Sequence, residues 1–505
     1  MSPLPARARV FEGAAAAGAW LALLALATAR GPLSFEGVLG RAFPSVALAV
    51  LVLWVAPGYA LWRLLVGGPA RNAPAWSFGL GLGWTLLVAS AAMVAGLSLE
   101  WLLAVLVAAD GLLVLALVLV PPQGPADRTE ATSGRPSWWV LVAAAAVFAR
   151  VFDLGTRRLH RLTYGSDEWV LMGAVRAFLE HPTVADPSEF DVCDLAIALV
   201  VRLARVEVFD VYRLHLPPLF IAAGALAFLV LAEAVLRERT WAWAAPALQG
   251  LFALSDMHTR GEGMGMAVMV RLVEDKFVAL LVALPLAQAA FLSALRGGGR
   301  RPLAVFAFLG VAATVLQPFA VPWLALGCGA AYLAALATGR VPRSRGLLAA
   351  VAALLVAGLA LAWVLRALRP SPYFLLYVPG WPFNATLREL SFRQLLILDL
   401  EKGWYLAHPW LLTHPLVAAT LAGSLALLGR ARRSVEAQWL LVSTWVPVLL
   451  VFNPLTAVVL GRLVTPWRLY RLLWILPVAL VLAWALRAAQ GALERRWSGR
   501  VPRLL

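Results

Sequence analysis

Blocks of apolar residues broken by short polar links run along almost the whole chain. A helix gains about 1.5 Å per residue, so a block of about 20 residues crosses a hydrocarbon core about 30 Å thick. In lipid, a helix is also one of the few ways a backbone can satisfy its own polar groups. Fourteen blocks fit this reading, some of them short, near residues 14–29, 43–66, 75–96, 101–120, 138–152, 214–236, 241–254, 275–295, 302–318, 320–338, 347–366, 409–429, 437–452 and 471–488. The pattern predicts an all-α polytopic membrane protein with about fourteen transmembrane helices. The first block follows Arg7 and Arg9 and ends in A-T-A like a signal peptide, but with so many spans after it an uncleaved span is the better reading.

The polar links are not alike. With the N-terminus on the cytoplasmic side, one set of links is short and basic: RERTW (237–241), RGGGRRP (296–302), TGRVPRSRG (338–346), GRARRS (429–434) and the tail ERRWSGRVPR (494–503). That is the asymmetry of the positive-inside rule, and it predicts that both termini are cytoplasmic. The acids fall mostly on the other side. There the pattern predicts two long loops, 153–213 and 367–408. Three regions follow: a four-span leader over 1–137, a core over 138–488 that holds both loops, and a basic cytoplasmic tail over 489–505.

Composition sharpens the class. Of 505 residues, 62% are hydrophobic and only 14% charged, against about 25% charged in soluble domains. The formal charge of +16 sits in links between apolar blocks, which argues for a membrane face and against nucleic acid as a partner. Arginine supplies nearly all of it; Lys276 and Lys402 are the only lysines. This Ala/Leu/Arg-rich usage suggests a bacterial inner (cytoplasmic) membrane protein. Cys193 falls in a polar loop and Cys328 inside an apolar block, so neither a disulfide nor a metal site is expected. Cys193 is expected to react with thiol reagents from outside, and Cys328 to be protected.

The loop 153–213 carries TYGSDEWVLMGAVRAFLEHP (163–182), in which Asp167 and Glu168 open a short helix. A carboxylate there can take a proton from a hydroxyl or help to hold a divalent cation. Equally, Ser166 is a good N-cap and acids favour the first turn of any helix. A second short apolar helix, LAIALVVRLARVEVF (195–209), carries Arg202 and Arg205 and is too short to span, so both helices are expected to lie along the interface. Two further outside segments carry cations: His258, Arg260, Arg271 and Lys276 in 255–277, and Arg462, Arg468 and Arg471 in 453–472. Arginine and lysine at that depth can neutralise a lipid-borne phosphate, or they can simply snorkel. Asp110 is an intramembrane acid that either serves function or bonds a neighbouring helix. Gln249 and Gln317 read as interhelical hydrogen bonders.

An acidic pair opening the first large outside loop, juxtamembrane helices in that loop, many later spans and cations on later outside segments together resemble the GT-C class of membrane glycosyltransferases. That class includes the protein O-mannosyltransferases and the bacterial aminoarabinose transferases of lipid A. The resemblance covers roughly residues 138–488. Here four spans precede the acidic loop's own span, where the better-known members have the loop directly after the first. The resemblance implies a GT-C-like fold with extracytoplasmic juxtamembrane helices and a polyprenyl-phosphate-linked sugar as donor. The sugar would pass, with inversion, to an extracytoplasmic glycan, lipid or protein. It implies Asp167 as the base with Glu168 beside it, and a loose correspondence of Lys276, Arg468 and Arg471, with Arg271, Arg260 and His258, to phosphate-binding groups. The resemblance fixes no cofactor and leaves a divalent cation, Mg or Mn, open. Two other readings suit parts of the pattern. One is a lipid-linked oligosaccharide flippase or other transporter. The other is a surface-polysaccharide polymerase or ligase, in which His258 or His408 would matter more.

Overall fold

The computed structural model describes residues 42–67, 72–119, 140–147, 150–151, 167–181, 192–255, 272–297, 299–339, 396–399, 404–464 and 466–497. In chain order the helices are α1 (Phe43–Val66), α2 (Ala73–Val94), α3 (Leu99–Leu119), α4 (Asp167–Glu180), α5 (Val192–Ala204), α6 (Val208–Leu236) and α7 (Arg239–Ser255). They continue with α8 (Asp275–Leu295), α9 (Arg300–Leu316), α10 (Ala320–Ala337), α11 (Pro415–Leu425), α12 (Val435–Phe452), α13 (Pro454–Val464) and α14 (Val478–Trp497). A 3₁₀ turn, Pro466–Ile475, leads into α14. Strands β1 (Leu396–Asp399) and β2 (Trp404–Ala407) pair antiparallel, with Leu396 opposite Ala407 and Asp399 opposite Trp404.

Among the described residues eight helices are long and apolar enough to cross a membrane: α1, α2, α3, α6, α8, α10, α12 and the segment Arg468–Leu493. The chain is therefore a mostly helical, multi-pass membrane protein. These eight match expected spans. Those expected at 241–254, 302–318 and 409–429 appear as α7, α9 and α11, with 17, 17 and 11 residues. α9 stops at Leu316 because Pro318 holds Gln317 in an extended conformation, φ −149° and ψ 110°. The spans expected at 14–29 and 347–366 lie outside the described residues, and that at 138–152 is described only in part.

Three of the long helices, α1, α6 and α8, meet an internal proline in the same way. Proline lacks an N–H and its ring collides with the carbonyl four residues back. In α1 a wide π turn, Leu51–Val55, stands just before Pro57. In α6 the turn Val211–His215 precedes Pro217, and in α8 Ala279–Ala283 precedes Pro285. Each turn closes with an N–H that reaches back five residues, such as Ala56 to the Leu51 carbonyl. The extra residue shifts the ladder past the proline, so the helix runs on instead of ending.

Glycine sets the packing of α2. Its Ser77, Gly81 and Thr85 share one face and meet α1 at nearly backbone contact. A Cβ on Gly81 would fall 1.5 Å from the Trp54 carbonyl oxygen, and one on Gly58 would fall 1.7 Å from that of Ser77. Thr85 Oγ1 donates to the Leu53 carbonyl at 3.1 Å across the same seam. Gly79 faces Leu286 of α8 and Gly83 faces Ala312 and Phe308 of α9. Small residues thus let one helix approach three others, the usual source of affinity between helices in lipid. One continuous apolar core joins α1 and α2 to α6, α8, α9, α12 and α14, so the described part of the N-terminal region shares its interior with the rest.

The helices α4 and α5 form where the sequence places them, but α5 does not lie along a surface. Twelve of its thirteen residues are buried, with only Arg202 exposed. It packs between α4 and the α1–α2 pair, while Arg202 reaches out to Glu100 at 2.5 Å. The run LAIALVV is apolar on every side, and a helix apolar all round is a core helix. Cys193 at its start is consequently buried, its Sγ 4.0 Å from the Val273 carbonyl. The expected reactivity of Cys193 is therefore corrected. In native protein neither Cys193 nor Cys328 should react with a membrane-impermeant maleimide, and both should react once denatured; prompt native labelling of Cys193 would contradict the burial of α5.

The ends of the helices differ in chemistry. At one end Glu436 of α12 gathers Arg237 from the end of α6, at 2.6 Å, and Arg296 from the end of α8, at 2.8 Å. Ser434 donates to its other oxygen at 2.5 Å, and Arg296 also donates to the Ala234 carbonyl. Nearby, Arg487 of α14 pairs with Glu238 at 2.6 Å. These groups belong to the links RERTW, RGGGRRP and GRARRS or adjoin them, so the short basic links meet at a single end. Asp110, in the middle of α3, accepts from Trp84 Nε1 of α2 at 3.0 Å, as an interhelical bond should.

Candidate functional site

At the opposite end of α8 three elements converge: the start of α8, the elbow between α9 and α10, and the 3₁₀ turn before α14. α8 begins with Glu-Asp-Lys. Glu274 is its N-cap and the Phe277 N–H bonds the Glu274 carbonyl at 2.9 Å. Lys276 Nζ lies 2.6 Å from Glu274 Oε2, with both side chains almost wholly buried. Asp275 Oδ1 accepts the Lys276 N–H at 2.6 Å, and its Oδ2 accepts Gln317 Nε2 at 2.5 Å. An acid in the first turn also favours the positive end of the helix. Arg468 lies within electrostatic reach of Asp275, and Arg471 stands beside Arg468.

Aromatic rings wall in these charges. Arg471 Cζ lies 5.4 Å from the ring centre of Trp474 and 5.8 Å from that of Tyr470. Lys276 Nζ is 5.9 Å from the ring of Phe277, which in turn is 5.3 Å from Trp474. Trp323 Nε1 donates to the Arg471 carbonyl at 2.9 Å and ties α10 to the turn. Cations over ring faces are attracted by the quadrupole, which offsets part of the cost of desolvating them.

Next to this end, α6, α7, α8 and the start of α14 line a partly open apolar cleft that Leu272 and Trp474 join to it. Phe228, Leu281 and Leu480 line it as well. Gln288, also on the lining, stands twelve residues beyond Lys276 on α8, about 18 Å along the helix. Gln249 lines the same cleft, so it faces a cavity where the sequence suggested a bond between helices. Gln317 does make that kind of bond.

Of the sequence candidates, Lys276, Arg468 and Arg471 are brought together. Asp167 and Glu168 open α4, as expected, but their side chains lie outside the described residues, as do His258, Arg260, Arg271 and the side chain of Arg462. α4 packs on α5, and α5 reaches the segment ahead of Glu274 through Cys193, so α5 and the start of α8 are neighbours. His408 uses Nδ1 to cap the turn Pro409–Leu412, accepting from Trp410 N at 3.3 Å. Sequence reasoning passed over Glu274 and Asp275. The available signal was two acids beside one of only two lysines, where an apolar block begins.

Glu274 and Asp275 do not make a ready cation site. Lys276 and Gln317 engage their oxygens, and among the described residues no group of three or more His, Cys, Asp or Glu could hold a metal ion. What the arrangement can do is receive an anion beside an apolar cleft. The named side chains carry three positive charges against two negative, which suits a singly charged phosphodiester. Comparison of this chain with protein-family models, with curated proteins and with solved structures finds no match.

Proposed function

We propose that this protein is a membrane glycosyltransferase of GT-C type that moves a sugar from a polyprenyl-phosphate donor to an extracytoplasmic acceptor with inversion. The observation that carries the reading is the cation cluster Lys276, Arg468 and Arg471 beside an apolar cleft whose lining includes Trp474, the ring under Arg471, a fit for a lipid with a phosphate head. On this reading the chain has about fourteen spans and lies in a bacterial inner membrane. The basic links and both termini are cytoplasmic, and the Lys276 end faces out. Residues 1–137 are a leader to the core 138–488, with 489–505 a cytoplasmic tail.

The chemistry follows from placement. The donor's phosphate rests on Lys276, Arg468 and Arg471, with Arg271, Arg260 and His258 as further donors from the same outside segments. Asp167, with Glu168 beside it, takes the proton of an acceptor hydroxyl. The oxygen attacks the anomeric carbon from the face opposite the phosphate. The bond from that carbon to the phosphate oxygen breaks, and its electron pair leaves with the polyprenyl phosphate. Negative charge grows on the phosphate as the bond breaks, so fixed cations there stabilise the transition state more than the ground state. No step is routed through a metal.

The test is sugar release from a radiolabelled polyprenyl-phosphate donor by purified protein. Wild type should release sugar; Asp167→Asn should lose at least about a hundredfold, the usual contribution of a general base, while folding normally. Paired replacement of Lys276 and Arg468 by methionine should raise KM and lower kcat together. Donor translocation without cleavage would instead identify a flippase. Undiminished release by Asp167→Asn would remove the base from the scheme.

A further inference from the structure

We infer that Gln317 is a positioning residue for the cation cluster: held by its own turn, its amide fixes Asp275, the acid within electrostatic reach of Arg468 and bonded to the backbone of Lys276, two of the cations on which an anionic lipid head would rest. The inference rests on the anion-binding reading of the site above.

The geometry begins with Pro318. It ends α9 and leaves Gln317 extended, with the Gln317 N–H still bonded to Ala313 O at 2.8 Å and its carbonyl accepting from Ala320 N at 2.8 Å. The backbone of Gln317 is thereby tied to both α9 and α10. Its side chain is tied as well, because the Phe319 N–H donates to Oε1 at 3.3 Å. That bond decides which end of the amide is oxygen, so the NH₂ end is the one that faces Asp275. The resulting contact to Oδ2 is short and charge-assisted. With the Lys276 N–H on Oδ1, both carboxylate oxygens are held and the group cannot turn.

The choice of a neutral amide has a reason. Asp275 is flanked by Glu274 and Lys276 on its own helix and by Arg468, with Arg471 behind it, on the turn before α14. A lysine or arginine at 317 would compete with Arg468 for Asp275. An apolar residue would leave Oδ2 without its donor in a largely desolvated place. Glutamine orients the acid and adds no charge, so the excess of cations remains for the ligand.

The experiment uses full-length protein in detergent micelles and radiolabelled polyprenyl monophosphate, with each variant compared with wild type at the same pH. Gln317→Leu should weaken retention about tenfold or more, the scale of a lost hydrogen bond to a charged group. Gln317→Glu has nearly the same shape but must share a proton with Asp275. Its retention should approach wild type near about pH 5 and fall about tenfold near about pH 8, where two adjacent carboxylates repel. A structural staple alone would lower melting temperature without this pH signature. If wild type retains the lipid and Gln317→Glu follows it at both pH values, the positioning role is overturned. If wild type itself retains nothing, the anion-site reading fails first and takes the inference with it.

Discussion

Gly81→Ala is expected to lower the stability of the folded protein by about 3 kcal/mol or more, the upper end of overpacking effects. The added methyl would sit 1.5 Å from the Trp54 carbonyl oxygen, which is backbone and cannot rotate aside. α1 and α2 would have to part by well over an ångström, breaking the Thr85 bond to Leu53. The shift would spread, because Gly79 and Gly83 hold α2 against α8 and α9 at the same time. A Cβ on Gly329 of α10 meets nothing within 4 Å, so Gly329→Ala is the control. The measurement is the melting temperature and monodisperse yield of full-length protein in detergent. Equal behaviour of the two variants would refute the close crossing of α1 and α2.

Glu436→Ala should be of similar severity, about 3 kcal/mol by the usual loss when one member of a buried ion pair is removed. Glu436 is 11% exposed and Arg296 19%, so that pair carries most of the effect; Arg237, at 55%, is well hydrated and contributes little. Removing the carboxylate leaves the Arg296 guanidinium with the Ala234 carbonyl but without its counter-ion. The links between the ends of α6 and α8 and the start of α12 loosen together. A double variant, Glu436→Leu with Arg296→Met, removes both charges and should recover much of the loss, because isosteric apolar replacement of a buried pair is often neutral. If the double variant melts as low as Glu436→Ala, the two residues are not coupled and the clasp has been misread.

The spans were legible because hydropathy over about 20 residues is a one-dimensional property, and lipid imposes a length on any helix that crosses it. The blocks at 43–66, 275–295 and 437–452 return as α1, α8 and α12 with little change. Where proline or a cap intervened the outcome was local as well: Pro318 ends α9, and His408 and His414 cap the starts of the turn and helix that open the 409–429 block. The cationic candidates Lys276, Arg468 and Arg471 were also legible, since each stands where an apolar block begins.

Adjacency was not legible. Gln317 and Asp275 are 42 residues apart, Trp323 and the Arg471 carbonyl 148, Arg237 and Glu436 199. No periodicity within one block says which end of another block it will meet. The same limit explains α5, whose apolar run was clear although its partners were not, so a buried helix passed for an interfacial one. Hydrophobicity states how much surface must leave water, and lipid, the cleft wall and another helix all satisfy that demand equally. Which of them does so is settled by close packing, through glycines that admit a neighbour's backbone and polar groups that accept only one partner at bonding distance.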